Sequence, residues 1–310
     1  MRKAVVDIGS NSTRLLIAEL QDGRVTQELD RRTTVTRLGA GVDADGRLSD
    51  EGMERVFATL DEYRKAIEHH RAETGVAVLT SAVRDSSNGE QFAGEVKRRY
   101  GLEPHVLTGD QEATLTFLGA TSERDPADRT PILVIDIGGG STEMVIGSGD
   151  EASFHVSTQA GVVRQTERHL HGDPPTEEEQ QALSEDVRAI IAAAVPTAQR
   201  QAVEHGIAVA GTATQLAAIA QELEPYDAAR VHGYVLTADE AKRIGNRLGK
   251  LPLAERREVA GLDPDRAPTI VAGALILAEV LKLFGLDRIE VSEHDILRGA
   301  ALGLGDSSAN

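Results

Sequence analysis

The chain has 310 residues, enough for two hydrophobic cores rather than one. Its 50 acidic residues outnumber 33 Lys and Arg, giving a net charge of −17 that argues against non-specific nucleic-acid binding and against an anionic membrane as partner. It has no cysteine, which excludes disulfides, thiolate catalysis and zinc–thiolate sites and fits a reducing compartment.

The opening residues, MRKAVVDIGSNS, hold no apolar run of signal-peptide length, so a cytoplasmic location is expected. Ala4–Ile17 (AVVDIGSNSTRLLI) reads as an apolar strand, an Asp-Ile-Gly turn with small polar residues, and a second apolar strand. Ser49 caps a helix running to His69, whose apolar face is Met53, Val56, Phe57, Leu60, Tyr63 and Ile67. Val76–Leu79 reads as a strand. A helix from about Asn88 to Tyr100, a short strand near Val106 and a helix from about Gln111 to Ala120 follow. The polar stretch 122–130 reads as a linker between one domain at 1–121 and another at 131–310, whose last helix is free to pack back on the first.

Leu133–Ile146 (LVIDIGGGSTEMVI) repeats the opening segment, with Asp136 over Asp7, Gly138 over Gly9, Ser141 over Ser12 and Thr142 over Thr13. This duplication predicts two similarly built halves. Thr176 with Glu179, and Thr237 with Glu240, form capping boxes. Ile207–Ala210 is a strand that runs into Gly211-Thr212 and a helix. Ile270–Leu286 is apolar but interrupted by Glu279 and Lys282, and reads as a buried helix rather than a membrane span. Ile289–Ser292 is the last strand.

In dinucleotide-binding folds and P-loops, glycines stand between a strand and a helix. Here they precede the β-branched runs Thr13–Ile17 and Thr142–Ile146, so both elements are strand–turn–strand. Such a turn can still hold an anion, because glycines allow close approach and turn successive N–H groups toward one point. Ser10, Asn11, Ser12, Ser141 and Thr142 add side-chain donors around Gly138, Gly139 and Gly140. Asp7 and Asp136, just before the turns, suit Mg²⁺, which binds phosphate complexes through one or two carboxylates and waters. Gly211-Thr212, opening a helix after a strand, can add a third phosphate contact. His232, His294 and the His69-His70 pair read as solvent-facing or structural, and no His-x-x-x-His pattern occurs.

The paired motifs resemble the actin-like, Hsp70 and sugar-kinase superfamily. Within it, DIGSNSTRLLI, TSAVRDSSN (Thr80–Asn88), TGDQEATLTFLGA (Thr108–Ala120) and DIGGGSTE (Asp136–Glu143), in that order, resemble the exopolyphosphatase/guanosine pentaphosphate phosphatase family in its short two-domain form. The resemblance implies two duplicated α/β domains of actin-like (ribonuclease H-like) type, mixed sheets flanked by helices and an interdomain cleft. It implies Glu112 as the catalytic carboxylate that activates water, Arg84 as a substrate-phosphate contact, and Asp136 and Glu143, with Asp7, as carboxylates for Mg²⁺ or Mn²⁺. Gln111 departs from the run of acids that the family often has before this glutamate. The implied substrates are inorganic polyphosphate or a pentaphosphate nucleotide, with a homodimer a further expectation and no nucleic-acid or membrane partner. A phosphate-binding regulatory module with little turnover is the alternative of another class.

Overall fold

The structure, a computed structural model, describes residues 1–125, 127–149 and 151–304, without the side chains of 43 and 44. The chain forms two compact units: Met1–Ser122 together with the chain from Asp295 onward, and Glu123–His294.

The first unit holds a five-stranded sheet: β1 (Arg2–Ile8), β2 (Ser12–Gln21), β3 (Arg24–Val35), β4 (Thr74–Leu79) and β5 (Glu103–Val106). Their spatial order is β3-β2-β1-β4-β5, with β1–β2 and β2–β3 antiparallel and β1–β4 and β4–β5 parallel. Strand β1 is buried on both faces because successive side chains point opposite ways. Ala4, Val6 and Ile8 join the core with Val56 and Leu60 of the helix Asp50–His70, while Val5 packs with Leu115, Leu297 and Ala300 on the other side.

The second unit repeats the plan. Its strands are β6 (Ile132–Ile137), β7 (Thr142–Ser148), β8 (Glu151–Thr158), β9 (His205–Val209), β10 (Val235–Thr237) and β11 (Arg288–Val291). The order β10-β11-β9-β6-β7-β8 contains the first unit's arrangement, as β8-β7-β6-β9-β11, with β10 added at one edge. The duplication read from two short segments therefore extends to the topology of both sheets. The apolar stretch from Ile270 is a helix, Ile270–Phe284, embedded in the second unit's core. No helix among the described residues is long and apolar enough to cross a membrane.

Candidate active site

In the first hairpin, Gly9 N–H donates to Ser12 O at 3.0 Å and closes the turn between β1 and β2. Ser10 and Asn11 face partly or fully to solvent. Ser10 Oγ shares a hydrogen bond with Ser81 Oγ at 3.1 Å, and Asn11 O accepts from Thr36 N–H and Arg37 N–H. The register places Arg14 directly opposite Asp7, and Arg14 Nη2 bridges Asp7 Oδ2 at 2.6 Å. Arg14 Nη1 reaches Asp295 Oδ2 at 2.5 Å, and Arg31 Nη1 lies 3.6 Å from Asp295 Oδ1. Burial pushes the Asp7 carboxyl above the usual aspartate range, against the pull of Arg14. Burial pushes the Asp295 carboxyl the same way, but Arg14, Arg31 and the Leu297 N–H outweigh it and hold that carboxyl below the usual range. Asp7 thus meets a guanidinium on one oxygen, while its Oδ1 is buried with no hydrogen-bond partner among the described residues.

Glu112 stands in the first turns of the helix Gly109–Thr121. That helix begins two residues before the expected Gln111, because Thr108 caps it. Thr108 Oγ1 accepts from Gln111 N–H at 3.2 Å, and Gln111 Oε1 accepts from Thr108 N–H at 3.0 Å, a complete capping box. Gln111, which departs from the resembled family's acidic run, is therefore the residue that fixes the helix start. The helix is held at its other end by glycines: a Cβ at Gly119 would lie 1.9 Å from Asp295 O, and one at Gly299 1.7 Å from Leu115 O. Glu112 is thus carried on an element pressed backbone to backbone against the helix Ile296–Gly303.

Arg84 ends the short helix Ser81–Arg84. Its Nη1 donates to Leu107 O at 2.9 Å and stands 3.6 Å from Glu112 Oε2, while Nε donates to Asp85 Oδ1 at 3.2 Å. The structure brings these two predicted residues together, with the guanidinium and the carboxylate both partly exposed.

In the second hairpin the register puts Asp136 directly opposite Glu143, so a carboxylate pair replaces the ion pair of the first. Directly opposed like charges are unfavourable on a sheet unless a counter-ion joins them. Ser157 Oγ donates to Glu143 Oε1 at 2.7 Å. A pair of hard carboxylate donors on one hairpin suits Mg²⁺ or Mn²⁺. The turn is closed by Gly138 N–H donating to Ser141 O at 2.9 Å. Its carbonyls are occupied from behind: Val162 N–H donates to Gly138 O, Val163 N–H to Gly139 O, and Arg164 Nε to Gly140 O. The N–H groups of Gly139 and Gly140 take no part in those bonds. Gly161 makes this approach possible, since a Cβ there would lie 2.2 Å from Gly140 C.

Thr212, in the helix Ala210–Ala220, is buried and donates its hydroxyl to Ile137 O at 2.8 Å. It braces the strand just before Gly138, which leaves only its backbone to contact an anion. Gly211 is where the Arg266 guanidinium packs, with Nη1 2.1 Å from the place a Cβ would take.

The model of the Ppx/GppA phosphatase family matches residues 16–304. Exopolyphosphatase 2 of Mycobacterium tuberculosis is 38% identical over 98% of both chains. The Aquifex aeolicus Ppx/GppA enzyme aligns with a TM-score of 0.82 at 35% identity, covering 97% of this chain and 99% of that one. An exopolyphosphatase from Cytophaga hutchinsonii aligns with a TM-score of 0.84 at 27% identity, covering 97% and 98%. The chain belongs to the Ppx/GppA phosphatase family.

It is accordingly a phosphatase with the actin-like two-domain fold that its motifs imply. Two cations of this Ppx/GppA chain have no counterpart among the residues singled out in the sequence: Arg164, on the Gly140 carbonyl, and Arg266, at Gly211. Neither lies in a recognisable motif: Arg164 comes from the helix Val162–His169 and Arg266 from the segment Pro264–Arg266. His69 and His70 pack edge to face, with ring centroids 5.0 Å apart. His232 and His294, expected to be solvent-facing or structural, come together beside Glu123.

Proposed function

We propose that this Ppx/GppA phosphatase is an exopolyphosphatase that removes terminal phosphates from inorganic polyphosphate. The observation that carries the reading is the pairing of Arg84 with Glu112, at 3.6 Å on two anchored elements of the first unit. The likeness to exopolyphosphatase 2 of Mycobacterium tuberculosis along nearly the whole chain supports the choice of substrate. Glu112 accepts a proton from water as the water oxygen attacks the terminal phosphorus. The bridging P–O bond breaks, and its electron pair stays with the shortened chain, giving orthophosphate and a polyphosphate one unit shorter. Arg84 binds a phosphoryl oxygen through its planar fork and keeps the base from drifting.

Within the second unit, the N–H groups of Gly139 and Gly140 and the Ser141 hydroxyl make a turn suited to phosphate oxygens. In the first hairpin, Ser10, Asn11 and Ser12 play the corresponding part, and Gly211 with the backbone of Thr212 adds a contact beside Arg266. Asp136 and Glu143 are the residues that would hold Mg²⁺ or Mn²⁺, and Asp7 would offer only Oδ1. When bound, the cation neutralises phosphate charge that a chain of net charge −17 would otherwise repel. The reading is tested by comparing phosphate release from polyphosphate and from guanosine pentaphosphate. A higher kcat/KM on polyphosphate is expected; a higher value on the nucleotide would move the assignment to a pentaphosphate phosphohydrolase, and release from neither would favour a binding module.

A further inference from the structure

Glu123, His232 and His294 all belong to the second unit but come from distant parts of its sequence. Glu123 is its first residue, His232 follows the short helix Ala228–Val231, and His294 is its last. One ligand atom from each lies within 4.8 Å of the others. His232 Nε2 is 3.4 Å from Glu123 Oε2, and His294 Nδ1 is 3.9 Å from Glu123 Oε1, so one carboxylate spans both rings. The ring centroids are 4.1 Å apart and tilted by 40°. His294 is only 8% exposed, and its N–H is tied to Ser292 Oγ at 3.0 Å. Two imidazole rings that converge on one carboxylate are placed to share one cation with it.

We infer that Glu123, His232 and His294 form a binding site for a borderline divalent transition-metal ion of the zinc class. Two imidazole nitrogens and one carboxylate oxygen make a donor set that zinc accepts and that Mg²⁺, which prefers oxygen, does not. The site therefore differs in chemistry from the opposed carboxylates Asp136 and Glu143. Its outer partners are also present: His232 Nδ1 lies 3.4 Å from Ser292 Oγ and 3.3 Å from the Glu293 N–H. Coordination through Nε2 moves the ring proton to Nδ1, where the Ser292 hydroxyl can accept it and orient the ring. The long contact from Glu293 N–H is the one interaction that this tautomer gives up. The cation would join the first and last residues of the second unit, which the sequence separates by nearly the whole of that unit.

The test uses the full chain in millimolar Mg²⁺, so that hard-cation sites are filled, and titrates Zn²⁺ by calorimetry. Wild type is compared with Glu123→Gln and His232→Gln; the Glu123 side chain is 57% exposed, so that replacement leaves the core untouched. Each variant is expected to bind Zn²⁺ at least about tenfold more weakly at one site. Added Zn²⁺ should raise the thermal midpoint of wild type and not that of the variants. The inference is overturned if wild type binds no Zn²⁺ under these conditions. It is equally overturned if both variants match wild type in affinity, stoichiometry and zinc-induced midpoint shift.

Discussion

Arg84 Nη1 stands 3.6 Å from Glu112 Oε2 while donating at 2.9 Å to Leu107 O, the carbonyl one residue before the cap of the helix that carries Glu112. One guanidinium thus touches both the carboxylate and the segment that positions it. Arg84→Ala should raise KM for polyphosphate and reduce its salt dependence, because one phosphate contact is lost. Arg84→Lys should recover only part of the loss, lacking the fork. An unchanged KM at low and high salt would leave Arg84 as no more than the ion-pair partner of Asp85 and Glu112.

Metal dependence should separate the two hairpins. Chelation is expected to abolish hydrolysis, and Mg²⁺ or Mn²⁺ to restore it. Asp136→Asn should raise the metal concentration for half activity more than Asp7→Asn does, because Arg14 already occupies Asp7 Oδ2. Equal shifts in titrations of the two variants would contradict this ranking.

Gly161→Ala should disturb the second turn. The new Cβ would meet Gly140 and Ser141 backbone at 2.2–2.3 Å, and the main chain must move to admit it. A destabilisation of about 1–3 kcal/mol is expected from such overpacking, with a raised KM for polyphosphate. Denaturant unfolding and steady-state kinetics on the same variant check both effects; an unaltered unfolding curve would show that the turn is not so constrained.

Asp295 links pH to stability. Arg14 and Arg31 help hold its folded-state pKa below the ordinary 3.8. Its contribution is therefore present above that value and is lost as pH falls through the folded-state value. Asp295→Asn, which keeps the side-chain cap on Leu297 N–H, should cost about 1–3 kcal/mol at neutral pH, because half-buried Arg14 and Arg31 each lose one carboxylate and keep Asp7 and Glu28 respectively. The gap from wild type should narrow below about pH 4. Asp7 is shifted the opposite way, so its shift favours the fold at low pH and ceases to do so as pH rises through its folded-state value. Unfolding at pH 7 and near pH 3 distinguishes the two; a gap that is constant with pH would contradict the assignment.

Both hairpins were legible in the sequence because the turn chemistry is local and occurs twice. The carboxylate opposite Asp136 was legible as a residue type, but its register opposite Asp136 emerges only from strand pairing. The Thr108–Gln111 capping box is spelled out in Thr108-Gly109-Asp110-Gln111, a local signal for a helix start ahead of Gln111. Strand β3 is charged and mostly exposed or half-exposed at the sheet edge, so it lacks the apolar alternation that would mark it. The helix Val162–His169 starts where its N–H groups meet the carbonyls of the glycine turn, a tertiary cause with no local signal. The same holds for Arg14 with Asp295, which are 281 positions apart, and for the convergence of His232 and His294 on Glu123.

Whether Glu112 takes the proton of the attacking water is tested by single-turnover phosphate release from polyphosphate by wild type and Glu112→Gln. The amide preserves size and helix geometry and removes the proton acceptor. The rate should fall by roughly 10²–10⁴ while polyphosphate affinity and thermal midpoint stay close to wild type. A rate near that of wild type, with the variant folded and bound to substrate, would remove Glu112 from the mechanism.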